Sequence, residues 1–323
     1  MGIGGVAIKR GVNTIFIIFI VTILNFVLFR IMPGDPITMI TSVEIPVELR
    51  IVLLRQFGLD QPLYIQFIKY IEQLLRGNLG VSFIYQRPVT AIIFERLPAT
   101  ILLLLSSYLV TVLLSISMGL IAAWKRGGKT DLALITFGQV LNSMPIFWFG
   151  GLLLLYFAVH LKIVPLMGVT TLGLDHKTIF SHFSDVVYHL FLPMIALGVG
   201  NFGGLFLITR NSLLDVYTED YITTAKAIGL SNRKILFHNA LRNAMLPLFT
   251  VIMMRLGFIV GGAILTETIF TWPGIGQIIH SAVVYQDYPL LQGCFLFITI
   301  SAVLANYISE MIYGYLDPRV RYE

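Results

Sequence analysis

From Val12 to Met32 the chain is almost wholly apolar, with Arg30 its single charge, and as a helix this run spans a hydrocarbon core of about 30 Å. Backbone placed in hydrocarbon has to satisfy its own hydrogen bonds, so only helices or closed barrels can cross. Five runs of similar character follow, at about Ala99–Ala123, Leu132–Val159, Val186–Thr209, Met245–Thr266 and Leu290–Ile312. Their length and lack of alternation predict an all-α polytopic membrane protein with six transmembrane helices. Composition agrees, with 57% of residues hydrophobic and only 12% charged, about half the charged share of a soluble domain.

The first run follows Lys9 and Arg10, is long for a signal-peptide core and has no small-residue cleavage site after it, so it reads as a retained span. Basic residues outnumber acidic ones, 22 to 17, but positive-inside loops account for that excess without a nucleic-acid partner. Lys125, Arg126 and Lys129 follow the second span and Arg319 and Arg321 follow the sixth, whereas Thr266–Pro289 contains neither Lys nor Arg. This asymmetry places both termini and the Arg210–Asn243 loop in the cytoplasm. The lone cysteine, Cys294, excludes a disulfide framework.

Four regions follow: 1–32 with the first span, 33–96 as a small extracytoplasmic helical insertion, 97–313 as the transmembrane core with a loop at 210–244, and a cytoplasmic tail at 314–323. Pro33-Gly34-Asp35-Pro36 ends the first helix. Within the insertion Gly58-Leu59-Asp60-Gln61-Pro62 reads as a turn, and Tyr64, Phe67, Ile68, Ile71, Leu74 and Leu75 recur at the spacing of one buried helix face. Pro145, Pro193 and Pro247 predict kinks, and the pairs Gly200/Gly204 and Gly257/Gly261 allow close helix approach.

The polar stretch Glu219–Pro247 interrupts this apolar pattern. Thr218 is suited to cap a helix with Glu219 and Asp220 in its first turn, where the helix dipole favours negative charge. Tyr221, Ala225 and Gly229 then form a stripe at i, i+4 and i+8, Gly229 suits a left-handed helix end, and Ser231 suits the cap of a second helix carrying Arg233, Lys234 and Arg242. A short exposed helix with a small-residue stripe fits a groove on another protein. An amphipathic helix at the membrane surface fits the same residues.

Two stretches decide between these readings: Tyr221-Ile222-Thr223-Thr224-Ala225-Lys226-Ala227-Ile228-Gly229-Leu230 and Asn239-Ala240-Leu241-Arg242-Asn243-Ala244-Met245-Leu246-Pro247. Together they resemble the EAA-type coupling loop of ABC importer permeases, in particular the B-type subunit of the dipeptide and oligopeptide group. The general pattern carries an acid where Thr223 stands here. Further matching blocks run along the whole chain, among them Met32-Pro33-Gly34-Asp35-Pro36, Gly77-Asn78-Leu79-Gly80, Ser143-Met144-Pro145-Ile146-Phe147-Trp148, Glu267-Thr268-Ile269-Phe270-Thr271-Trp272-Pro273-Gly274, Asp287-Tyr288-Pro289 and Leu316-Asp317-Pro318-Arg319.

The resemblance implies the MetI-like fold of type I importers. It also implies a permease subunit that shares the translocation path with a second, homologous permease, two cytoplasmic ATPases that bind ATP and Mg, and an extracytoplasmic solute-binding protein. The chain would hold no cofactor or catalytic residue of its own. Di- or oligopeptides are the implied substrate, with nickel or metal chelates, glutathione or opine-like compounds as the alternative within the class; a stand-alone secondary transporter or channel is the reading from outside it. Glu219, Asp220, Tyr221, Thr224, Ala225, Ala227, Gly229 and Leu230 would form the ATPase-coupling helix. Glu267, Trp272 and Pro273 would belong to a reentrant or gating segment.

Arg255 lies about ten residues into the fifth span, where an arginine costs at least about 2.5 kcal/mol to insert and is normally kept for a pathway or a buried partner. Three readings stand: a pore-facing cation that attracts a carboxylate, such as a peptide C-terminus; a structural pair, for example with Glu310; and a residue that points toward the partner permease. Gly128-Lys129-Thr130 is not a phosphate loop, because Ala123 stands where the motif needs glycine and no strand precedes it. His176, His182 and His189, with Asp175 and Asp185 nearby, match no compact metal-ligand spacing.

Overall fold

The structure is a computed structural model that describes residues 3–31, 61–175, 177–256 and 263–316. The Met32–Pro36 turn, most of the turn at 58–62, Gly257 and Gly261, His176 and the blocks at 317–323 lie outside the described residues.

The described residues form helices α1 (Ile3–Ile31), α2 (Leu63–Leu75), α3 (Val89–Trp124), α4 (Lys129–Ser143), α5 (Ile146–Leu153), α6 (Ile179–Gly200), α7 (Phe202–Tyr217), α8 (Asp220–Ala227), α9 (Leu241–Leu256), α10 (Ile264–Ile269), α11 (Ile275–Val284) and α12 (Tyr288–Leu316). Wider π-type turns extend two of them, Leu154–His160 after α5 and Ile235–Ala240 before α9, the latter entered through a single turn at Asn232–Lys234. Among the described residues the only strand-like feature is one isolated bridge between Val81 and Pro88.

Four helical stretches are long and apolar enough to cross a membrane, Ile8–Ile31, Val89–Trp124, Ile179–Gly200 and Tyr288–Met311. Two bent pairs raise the number to six if each is one span: Lys129–Ser143 with Ile146–His160, turning by 101°, and Asn232–Met245 with Pro247–Leu256, turning by 49°. Both bends fall at prolines picked out by the sequence, Pro145 and Pro247, whereas α6 continues through Pro193. The fourth crossing starts earlier than Val186. Thr178 caps α6 by accepting from the Ser181 amide at 3.1 Å, and Asp185, inside the added turns, is satisfied by the Thr171 amide and hydroxyl at 2.7 and 2.8 Å.

The chain divides into two compact units. In the first, made of residues 1–100, 260–264 and 273–323, Ile275, Ile278, Ile279 and Ala282 present one face of α11 to Val89, Ile92, Ile93, Leu290, Leu291 and Cys294. Asp287, fully buried, ties this core together by accepting from the Ser82 hydroxyl at 2.5 Å and from the Ile84 amide at 3.1 Å. Helix α1 lies against α12 and binds it through the Asn25 amide donating to the Gln292 carbonyl at 3.2 Å and through an Arg10–Glu310 ion pair at 3.4 Å. Its remaining surface, including Ile15, Phe16 and Phe19, is exposed and apolar, as a lipid-facing helix requires. In α2 the expected single buried face splits. Phe67 and Tyr70 pack on Phe26 with ring centroids 5.2 and 5.5 Å away, while Tyr64, Ile68 and Leu75 stay exposed.

In the second unit, residues 101–259 and 265–272, glycines set the helix spacing. A Cβ on Gly203 would lie 2.5 Å from the Gly138 carbonyl oxygen, and one on Gly198 would lie 2.7 Å from Val110, so α7 meets α4, and α6 meets α3, at backbone distance. Of the predicted pair, Gly200 faces Ile146, with 3.1 Å left for an added Cβ, and Gly204 faces the Arg255 guanidinium at 3.4 Å. Phe202, Phe206, Leu141 and Ala122 fill one core cluster, and Leu205, Leu248 and Ile252 another.

Candidate functional site: a docking loop and an in-membrane arginine

Helix α7 ends at Tyr217, and the Thr218 hydroxyl donates back to the Asp215 carbonyl at 2.6 Å. Thr218 therefore closes α7 instead of capping the next helix, contrary to the sequence expectation. Glu219 takes the N-cap position with extended backbone (φ −71°, ψ 145°), and its carbonyl accepts from the Ile222 amide at 3.0 Å. Asp220 stands in the first turn of α8, where the dipole favours it.

Helix α8 is seated by its inner face. Ile222 is fully buried and Ala225 is 4% exposed, and both pack into a cluster with Ala123, Leu213, Ile235, Leu236, Ala240 and Ala244. Burying a side chain the size of Ile222 contributes about 1.5–3 kcal/mol, and the alanines let the helices approach closely. Tyr221 is held from the side, its hydroxyl accepting from the Asn243 amide at 2.6 Å, and the Lys226 ammonium lies 5.7 Å from the Tyr217 ring centre. Partial burial raises the Tyr217 phenol above its ordinary pKa.

The helix stops as the sequence predicts. Gly229 takes φ +81°, its amide donates to the Lys226 carbonyl at 3.0 Å, and the Leu230 amide reaches back to the Ala225 carbonyl at 3.1 Å, the paired bonds of a Schellman end. Ser231 then accepts from the Lys234 amide at 3.4 Å and opens the next turn.

This geometry corrects the expected docking stripe. Tyr221, Ala225 and Gly229 do not form one free face, because Ala225 points into the protein's own core and Tyr221 is pinned to Asn243; Leu230 is half-buried. The exposed residues of this helix and its ends are Glu219, Asp220, Tyr221, Thr223, Thr224, Lys226, Ala227, Ile228 and Gly229. Ile228, 71% exposed, is the most exposed large apolar residue among them. The sequence reading passed over it because only its position next to Gly229, beyond the last helical residue, turns it outward.

A second feature missed at the sequence level lies at the root of the loop. Arg210 grips Asp131 with two bonds of 2.7 Å, from Nε and Nη2, and the same carboxylate accepts from the Gly127 amide at 2.9 Å. Asp131 is 3% exposed, and its bonds raise the Arg210 pKa above the ordinary value. Gly127, at φ +73°, makes the turn that delivers its N–H to the carboxylate. The signal was Gly-Gly followed closely by an acid, hidden among basic residues that had been read only for topology.

In the fifth span Arg255 is exposed and stands next to the last described residue of α9, with its guanidinium over Gly204. Beside it the Tyr108 hydroxyl donates to the Ile252 carbonyl at 2.8 Å. Among the described residues no acid pairs with Arg255. Glu310, the suggested partner, is engaged by Arg10 and by the Asn306 amide at 3.0 Å.

Glu267 and Trp272 are both fully buried, so their segment is a packed element and not a surface loop. The Trp272 amide donates to the Glu267 carbonyl at 2.7 Å across a turn in which Thr271 takes φ +50°. Pro273, half-buried, leads through Gly274 into α11, whose 10 residues reach only about 15 Å and cannot cross a bilayer alone. The first amide of α11, Ile275, donates to the Thr100 hydroxyl at 2.7 Å. His189 is buried with Nδ1 2.9 Å from the Asp185 carbonyl. Among the described residues no three His, Cys, Asp or Glu side chains gather as a metal site would need.

The family model for the binding-protein-dependent transport system inner membrane component matches residues 115–322, and its N-terminal companion, for the membrane component of the same systems, matches residues 6–104. The chain belongs to this family. The permease is 35% identical over 317 residues to the oligopeptide transport system permease protein AppB of Bacillus subtilis, with 98% of each chain covered. It is 34% identical over 316 residues to the glutathione transport system permease protein GsiC of Escherichia coli O6:H1, again with 98% of each covered. In fold it is similar to a chain of the inward-facing MetNI methionine ABC transporter, with a TM-score of 0.52, 14% identity, and coverage of 70% of the permease and 96% of that chain. The expected MetI-like, all-α multi-pass architecture is thus borne out. The loop at 210–244, Arg255 and the Glu267–Pro273 segment all fall inside the stretch matched by the main family model.

Proposed function

We propose that this chain is one permease subunit of an ATP-driven importer for short peptides. It forms the translocation path with a second permease and is driven by two ATPases that bind ATP and Mg, while a solute-binding protein delivers the substrate. The observation that carries the reading is the similarity to AppB along the whole chain, joined to a loop whose short helix is anchored by Ile222 and Ala225 and leaves Ile228 and the acidic first turn uncovered. The open face of Glu219–Leu230 is the coupling surface for an ATPase, with Ala225 and Leu230 holding the helix from beneath and Tyr221 holding it from the side. Both termini and this loop face the cytoplasm, and the chain itself hydrolyses no ATP.

Closure of the ATPases on ATP pushes α8, and the breaks at Pro145 and Pro247 let the spans switch between inward-open and outward-open packings. Arg255 lines the path, and the buried turn of Glu267, Trp272 and Pro273 forms part of its gate. Glutathione is the second reading, supported by the similarity to GsiC; it is itself a tripeptide. The test is reconstitution of both permeases, both ATPases and the binding protein in liposomes, with uptake of labelled di- and tripeptides measured with and without ATP. ATP-dependent uptake that requires the binding protein is expected. Uptake by this chain alone, or without ATP, overturns the reading.

A further inference from the structure

A polar strip crosses the middle of the second unit where its helices break. Asn142 and Ser143 are exposed at the end of α4, immediately before the 101° turn at Pro145, and Asn201 is exposed at the junction of α6 and α7. Gly203 and Gly204 follow. An added Cβ on Gly203 would lie 3.2 Å from the Asn142 Cβ, and one on Gly204 would lie 3.4 Å from Arg255 Nη2. Gly203 thus belongs to the buried contact with α4, while Gly204, half-buried, carries the Arg255 guanidinium. Exposed backbone breaks and exposed polar side chains at membrane depth are tolerated where they line water or protein, not lipid.

We propose that Arg255, seated over Gly204, is a substrate subsite in the translocation path that holds the free C-terminal carboxylate of a passing peptide. This rests on the reading of the chain as a peptide importer permease. A guanidinium offers a fork of N–H donors matched to a carboxylate, and Gly204 puts no side chain beside it. Any linear peptide ends in this group, and so does glutathione, so the subsite favours the class without selecting sequence. Its hold has to be weak, because the substrate must leave again.

The experiment uses the complete complex in nanodiscs without the binding protein, titrated calorimetrically with alanyl-phenylalanine and with its C-terminal amide. The wild-type complex is expected to bind the acid more tightly than the amide. Arg255→Gln should weaken the acid roughly ten- to a hundredfold, the range for loss of a charge-assisted bond, and leave the amide unchanged, while Arg255→Lys should retain most of the acid binding. Equal weakening of acid and amide, unchanged acid binding in Arg255→Gln, or no acid binding by the wild type each overturns the subsite. Uptake in the full reconstituted system separates the two readings: if wild-type liposomes import labelled peptide while the titration fails, only the subsite falls, and if they import none, the peptide reading falls with it.

Discussion

Replacing Gly229 separates backbone strain from docking. The residue sits at φ +81°, and no atom lies within 4 Å of where a Cβ would stand. A Cβ added there meets no steric obstacle within the chain; its cost is the left-handed conformation, about 1–2 kcal/mol for an ordinary L-residue and less for asparagine. Within the permease, Gly229→Ala and Gly229→Trp therefore loosen the end of α8 by the same amount, and Gly229→Asn by less. In the assembled importer they diverge, because the indole projects from the open face next to Ile228. Expected are similar thermal unfolding curves for the Ala and Trp forms of the purified permease pair, substantial uptake by the Ala form, and failure of the Trp form either to retain its ATPases or to couple their hydrolysis to uptake. The assay is ATP hydrolysed per peptide imported in liposomes. If Gly229→Trp imports as well as Gly229→Ala, the docking surface is wrongly placed; if Gly229→Ala fails as completely as Gly229→Trp, strain and not contact explains the loss.

Removing the carboxylate in Asp131→Ala strands Arg210 in a half-covered site and should destabilise the permease by about 1.5–3 kcal/mol, read as a fall in the melting temperature of the purified complex; Asp131→Leu with Arg210→Met should recover much of it, and an unchanged melting curve for the single variant refutes the pair. Gly203→Ala drives a Cβ to 2.5 Å from the Gly138 backbone and should cost at the upper end of the roughly 1–3 kcal/mol typical of overpacking, whereas Gly200→Ala, at 3.1 Å from the movable side chain of Ile146, should cost less. Melting of the two variants side by side checks the order, and a reversed order refutes the backbone contact.

What the sequence determined by itself was set by local or one-dimensional physics. Bilayer thickness is fixed, so run length alone located the four unbroken apolar helices and the two bent pairs, and proline chemistry marked the bends at Pro145 and Pro247. Gly229 and Ser231 announced the end of α8 and the turn after it, because caps are decided within four or five residues. The start of α6 and the role of Thr218 were misjudged where a short polar side chain found a partner that hydropathy does not reveal, Thr171 for Asp185 and the Asp215 carbonyl for Thr218. Only the tertiary structure decided which way α8 faces. The stripe through Tyr221, Ala225 and Gly229 is equally regular whether it looks inward or outward, and it was the cluster around Leu213, Ala240 and Ala244 that claimed Ala225 and left Ile228 uncovered. The same holds for Arg255, whose charge is plain in the sequence. Its seat over Gly204 depends on α7, more than 50 residues away in the chain, packing against α9.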